Sequence, residues 1–159
     1  MREILFRGIP KDDIDRHFFT DAWKENCEGS FVYGSLVVAH DRYYICVSAL
    51  CAINSCVNNG MTSMIEVIPE TVGQYTGKTL CDTKVFKGDI VEWYEDYDDS
   101  WGYTQTANGY SVVVWDDENF CWGFDTDGYV QSFNDWDWYK CFVIGNIHDN
   151  PELLKEGTT

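Results

Sequence analysis

Basic side chains are scarce in this sequence. Lys and Arg number 11 against 27 Asp and Glu, a formal charge of −16, and none falls between Lys87 and Lys140. A nucleic-acid binder needs such cations to neutralise phosphates, so the balance argues against direct nucleic-acid binding. Long apolar runs are also missing. The longest weakly polar stretch, "YYICVSALCAINSCV", is too short and too polar to span a bilayer, so no membrane partner is expected. Met1-Arg2-Glu3 leads straight into "ILFRG", too short and too charged for a secretory leader.

The seven cysteines are odd in number and loosely spaced. They read as small core hydrophobes in a reducing cytoplasm rather than as a disulfide frame. Cys46, Cys51 and Cys56 recur every five residues, which fits neither zinc-ligand spacing nor one helix face, so no metal site is expected.

Catalytic signatures are absent too. His17, His40 and His148 sit in no nucleophile motif, and Ser35 in "YGSLV" lacks the G-x-S-x-G elbow. "GQYTGKT" imitates a phosphate-binding loop, but Gly73 and Gly77 enclose three residues where the motif needs four. Asp125-Thr126-Asp127-Gly128 imitates a calcium loop, but its glycine comes too early and no Glu closes it; a hairpin turn explains it better. These absences predict a non-enzymatic protein with no cofactor.

What is present is strand signal. Met1 to Arg7, closed by Gly8, reads as a first strand, and "SFVYGSLVVA", "RYYICVSAL" and "TSMIEVIP" are β-branched, aromatic and punctuated by turn residues. From Phe86 onward, "DIVEWYE", "GYTQTA", "YSVVVWD", "FCWGFD", "YVQSF" and "KCFVIGNI" follow at short intervals, with turns expected at Asn108-Gly109, Asp116–Asn119 and Asp127-Gly128. A helix is expected from Asp12 or Asp13 to Asn26, where Ile14, Phe18 and Phe19 fall near one stripe. A short C-terminal helix is expected at Asn150-Pro151. The fold class is mainly β: a β-rich N-terminal lobe with one helix over 1–80, and a small antiparallel barrel or sandwich over 81–159, the two packed as one unit.

Two kinds of side chain crowd the Lys/Arg-free region. Asp96, Asp98, Asp99, Asp116, Asp117 and Glu118 stand for its carboxylates, read either as a solvated face or as a surface offered to a basic partner. The rings exceed what a small barrel can bury, so some should line a groove or an interface; Trp93, Trp101 and Tyr103 are candidates. Gln74, Tyr75 and Thr76, set between Gly73 and Gly77, are a further polar group. They form either a turn joining the lobes or the lining of a pocket, perhaps shared between subunits.

"MREILFRG" at the start, "VYGSLV" at 32–37, "PETVGQYTG" at 69–77, "VFKGDIV" at 85–91 and "VIGNIHDNPELL" at 143–154 occur together and in order. In these stretches the chain resembles the YopX family, small proteins of bacteriophages and prophages. The chain departs from the family pattern in its "KTLCDTK" connector, its long insertion-like "IPKDDIDRHFFTDAWKEN" and its acidic, Trp-rich C-terminal half. The resemblance implies a mainly β protein without enzymatic activity, associated with multi-chain assemblies and working in the cytoplasm of a bacterial host. Two roles follow as expectations. One is a counter-defence oligomer that sequesters a nucleotide-derived signal. The other is an acidic, nucleic-acid-mimicking inhibitor of a basic host protein. A structural or regulatory phage protein is a third reading.

Overall fold

The computed structural model describes residues 3–11, 27–48, 62–135 and 140–155. The protein is mainly β, with antiparallel sheets and a half-barrel, and no long helix occurs among the described residues. The helix expected between Asp12 and Asn26 lies outside those residues. The chain divides into two compact units, Met1–Tyr75 and Thr76–Thr159. The sequence places a division at residue 80; the compact units meet five residues earlier, inside a strand.

The first unit is a meander of short strands. β1 (Phe6–Gly8), β2 (Cys27–Glu28), β3 (Phe31–Ala39), β4 (Arg42–Ser48), β5 (Thr62–Val67) and the start of β6 (Gly73–Leu80) lie in the order β5-β4-β3-β1-β6, with β2 beside β3. The β3–β4 hairpin turns on His40 and Asp41, both with positive φ, the two-residue geometry whose twist matches the strands. Val32, Ile45, Val47, Ile65 and Val67 form its core. Arg7, only 6% exposed, lays its guanidinium over the Phe31 ring at 4.4 Å. A short 3-10 turn, η1 (Pro69–Thr71), leads into β6; the Thr71 hydroxyl donates to the Ile68 carbonyl and accepts the Ile9 N–H.

The second unit carries the rest of β6, which neighbours β7 (Thr83–Phe86), and a five-stranded sheet in the order β11-β10-β9-β8-β12. Its strands are β8 (Asp89–Asp98), β9 (Thr104–Asp116), β10 (Cys121–Thr126), β11 (Tyr129–Ser132) and β12 (Cys141–Asn146). Alternate residues point inward, as strand pleating requires. Leu80, Val85, Val91, Val113, Trp122, Phe124, Phe133 and Cys141 make the core, with Trp93 and Val143 packed against it. Two 3-10 turns accompany the sheet, η2 (Phe133–Asp135) between β11 and β12 and η3 (Pro151–Lys155) after β12. The helix start read at Asn150-Pro151 therefore yields a single tight turn, closed by Leu153 N–H donating to the Asn150 carbonyl.

Two turns expected from the sequence are strands. Asn108-Gly109 lies inside β9, where every residue from Thr104 to Val112 has a partner on β8. Gly109 is there because the Trp93 indole lies across it: a Cβ would stand 2.6 Å from Trp93 Cζ2. The stretch Gly73–Gly77 is the first part of β6, bent at Gly77 (φ 87) rather than reversed. The Thr76 hydroxyl makes the bend, donating to the Val85 carbonyl at 2.9 Å and accepting the Lys78 N–H at 3.2 Å.

Candidate functional site: the β8–β9 arm

β8 and β9 pair without a register shift from Ile90↔Val112 to Asp98↔Thr104. Their outer neighbours stop earlier. β12 accompanies β8 only from Asp89 to Trp93, and β10 accompanies β9 only from Val112 to Asp116. Beyond those points Tyr94–Asp98 and Thr104–Asn108 continue, among the described residues, as a two-stranded ribbon about 17 Å long. An isolated ribbon is marginal, so its cross-strand contacts matter. The Thr106 hydroxyl donates to Asp96 at 2.7 Å and the Thr104 hydroxyl to Asp98 at 3.0 Å. Lys140 reaches Asp96 at 3.1 Å. The bond from Thr106, then the one from Lys140, holds the Asp96 carboxyl below its ordinary range.

The tip is built around Asp99. Its N–H donates to the Tyr103 carbonyl and its own carbonyl accepts the Gly102 N–H, closing a three-residue loop with Gly102 in the left-handed region (φ 78). The Asp99 carboxylate accepts the N–H groups of Trp101 and Tyr103, each at 2.9 Å, and the Gln105 amide. The bond from Tyr103, reinforced by those from Trp101, Gln105 and Gly102, sets this carboxyl below its ordinary range despite some desolvation. The clamp fixes the backbone of a loop whose two rings lie in water: Trp101 is 84% exposed and Tyr103 70%. Tyr97, on the ribbon below, is half exposed.

Beside the ribbon runs an open groove of about 480 Å³, lined by Tyr94, Glu95, Asp96, Gln131, Asn134, Asp135 and Lys140. Three carboxylates against one ammonium make it a place for cations and hydrogen-bond donors rather than phosphates. No group of three His, Cys, Asp or Glu among the described residues is arranged to hold a metal. No helix there is long and apolar enough to cross a membrane.

The residues singled out from the sequence are dispersed. Trp101, Tyr103, Asp96, Asp98 and Asp99 come together on the arm. Asp116, Asp117 and Glu118 do not join them; they form the β9–β10 turn at the opposite end of β9, twelve residues or about 40 Å of strand away. There the Asp116 carboxylate accepts the N–H groups of Glu118 and Asn119 and the Asn119 amide, and these bonds, the Asn119 side chain first, lower its pKa. The single acidic face is thus two acidic ends. Trp93 is not at the tip either: it packs against the core and donates its indole N–H to Ser111 at 3.0 Å. Gln74 is half-buried beside β1 in the first unit, Tyr75 is buried and its N–H donates to Leu5, and Thr76 is the bend residue. The groove residues Glu95, Gln131, Asn134, Asp135 and Lys140 escaped the sequence reading. They come from β8, β11, the η2 turn and the residue before β12, segments far apart in the sequence that only the fold brings together.

A family model described as YopX protein matches residues 20–155. Neither the curated proteins nor the solved structures searched contain a significant match.

Proposed function

Because this chain belongs to the YopX protein family, we propose that it is a small phage-type binding protein that works without turnover. It holds a basic protein of the bacterial host through the β8–β9 arm and so acts against host defence or physiology. One observation carries this reading: Asp99 fixes the backbone of the tip loop that presents the exposed Trp101 and Tyr103, on a ribbon that also bears Asp96 and Asp98. Trp and Tyr are the usual anchors of protein interfaces, since two side-chain torsions bring a large contact area at small entropic cost. Carboxylates around them steer a cationic surface into place and raise the rate of encounter.

The second reading, sequestration of a nucleotide-derived signal by a homo-oligomer, draws on the same rings. Each could stack on a base for about 1–3 kcal/mol, against about 12 kcal/mol for nanomolar capture. The balance would have to come from phosphate contacts, and the arm presents carboxylates there. Of the basic residues that could supply such contacts, Arg7 is buried against Phe31, while Lys78 and Lys84 are exposed on β6 and β7. The basic-protein reading is therefore preferred.

Affinity capture from host lysate at low and high salt, with the wild type and a Trp101→Ala/Tyr103→Ala variant, tests it. A basic protein retained at low salt by the wild type and lost by the variant is expected. Empty beads at low salt, with calorimetric heat from a cyclic dinucleotide or an ADP-ribose derivative, would transfer the case to sequestration.

A further inference from the structure

We propose that the outer edge of β9, from Thr104 to Asn108, is a docking edge that takes an extended basic segment of a partner protein as an added strand. The hydrogen-bond phase of the ladder fixes which backbone groups face outward. Asp99 N–H donates to the Tyr103 carbonyl, so Asp99 and Tyr103 form a hydrogen-bonded pair. Alternation then makes Tyr97↔Gln105 and Glu95↔Ala107 hydrogen-bonded pairs and turns the N–H and C=O of Thr104, Thr106 and Asn108 away from β8. The same parity governs the other end of β9, where Val112 and Val114 face Asp125 and Gly123 of β10. β10 ends at Thr126, and among the described residues no strand follows it along Thr104–Asn108. A lane one strand wide is left open.

Exposed edges are normally protected by Lys, Pro, an inward charge or a bulge. This edge has none of them. Thr104, Gln105, Thr106, Ala107, Asn108, Gly109 and Tyr110 carry no charge and no proline, and the register runs through them unbroken.

Charge selects the occupant. The side chains of Thr104 and Thr106 share a face with Asp98 and Asp96, to which they are bonded. Residues of an added strand directly opposite Thr104 and Thr106 would project on that same face. They would sit two strand spacings, about 10 Å, from those carboxylates, within reach of Lys or Arg. The lane also points at the acidic Asp125–Asp127 turn. A second copy paired through the same edge would instead set its own Asp96 and Asp98 three strand spacings, about 14 Å, from these and would bring them no cation, while each copy carries a formal charge of −16. The partner segment is therefore extended, with Lys or Arg at alternate positions, recognised through its main chain.

This inference rests on the reading of a basic protein partner, and the experiment separates the two. The probe is a short, end-blocked peptide alternating Lys and Thr, titrated calorimetrically at low salt into the full chain. Its analogue N-methylated at alternate residues keeps the charge and loses the main-chain donors. Asn108→Pro removes one outward N–H while leaving the inward ladder bonds of Ala107 and Gly109, a position where an edge strand accepts proline. Asn108→Lys adds a repelling gatekeeper without touching the backbone. The parent peptide is expected to bind, and N-methylation or either substitution to weaken it by about tenfold or more. Equal binding of parent and N-methylated peptides overturns strand addition and leaves the electrostatic reading standing. Binding of polylysine but not of the parent peptide does the same. Failure of every cationic probe sinks both. A dimer of the free chain that Asn108→Pro dissolves puts a second copy on the edge and also overturns the proposal.

Discussion

A methyl group on residue 109 would stand 2.6 Å from Trp93 Cζ2 and 2.9 Å from Cε2, well inside contact distance. The indole cannot give way cheaply, because its N–H is bonded to Ser111 and its ring packs on the core. Gly109→Ala is therefore expected to destabilise the second unit by about 1–3 kcal/mol through overpacking, read from urea unfolding followed by Trp fluorescence. Asp89 offers a second test of a single side chain. It is 1% exposed and accepts the Phe86 N–H at 2.7 Å across the Lys87-Gly88 turn. Asp89→Ala leaves that buried donor without its acceptor, at a cost of about 1–3 kcal/mol by the same unfolding measurement. If either substitution is neutral, the packing described around β8 is wrong.

Among the elements, the arm has the most specific behaviour. Asp99→Ala removes the clamp on Trp101 and Tyr103, and their amides are expected to exchange with deuterium about tenfold faster, while core amides such as Val91 keep their protection. Acid should act in the same place. The carboxyls of Asp96, Asp99 and Asp116 are held below their ordinary range in the folded chain by hydrogen bonds, with Lys140 adding to the effect at Asp96. Their contribution to stability is thus fully present above the ordinary carboxylate pKa and is lost as the pH falls through the lower folded values. The β8–β9 tip and the β9–β10 turn should loosen below about pH 4, visible as faster exchange at Trp101, Tyr103 and Asn119 before the core melts.

The elements also show how far the sequence could be read. β3, β4, β5 and β10–β12 were legible because β-branched runs end at turn residues. Asp127-Gly128 is a turn because both residues take positive φ, as that pair does easily. Asn108-Gly109 carries the same signal and is not a turn, since the glycine serves the Trp93 ring instead of the backbone. The β6–β7 link turns on Cys81 and Asp82 with positive φ and no glycine at all, which no local rule announces. Of the candidate site, the surplus of rings implies that some are exposed but not which: Trp101 and Tyr103 are, while Trp93, chosen on the same ground, packs on the core. The opposite fates of Asp99 and Asp116 were not, because only the length of β9 sets them apart.

For the whole molecule, a formal charge of −16 means that association with a cationic protein should be fast at low salt. It should slow steeply as ionic strength approaches physiological, where attraction between exposed charges is largely screened beyond about 8 Å. A stopped-flow series over salt would show this as a falling association rate with a nearly constant dissociation rate. A nucleotide-sequestering oligomer would lack that pattern.

The most direct measurement is amide chemical-shift mapping of the labelled chain during titration with the alternating Lys–Thr peptide at low salt. Shifts concentrated at Thr104, Thr106 and Asn108 and at the Trp101–Tyr103 tip, vanishing at high salt, are the predicted result. Shifts confined to β6, or scattered over every exposed carboxylate alike, would contradict it.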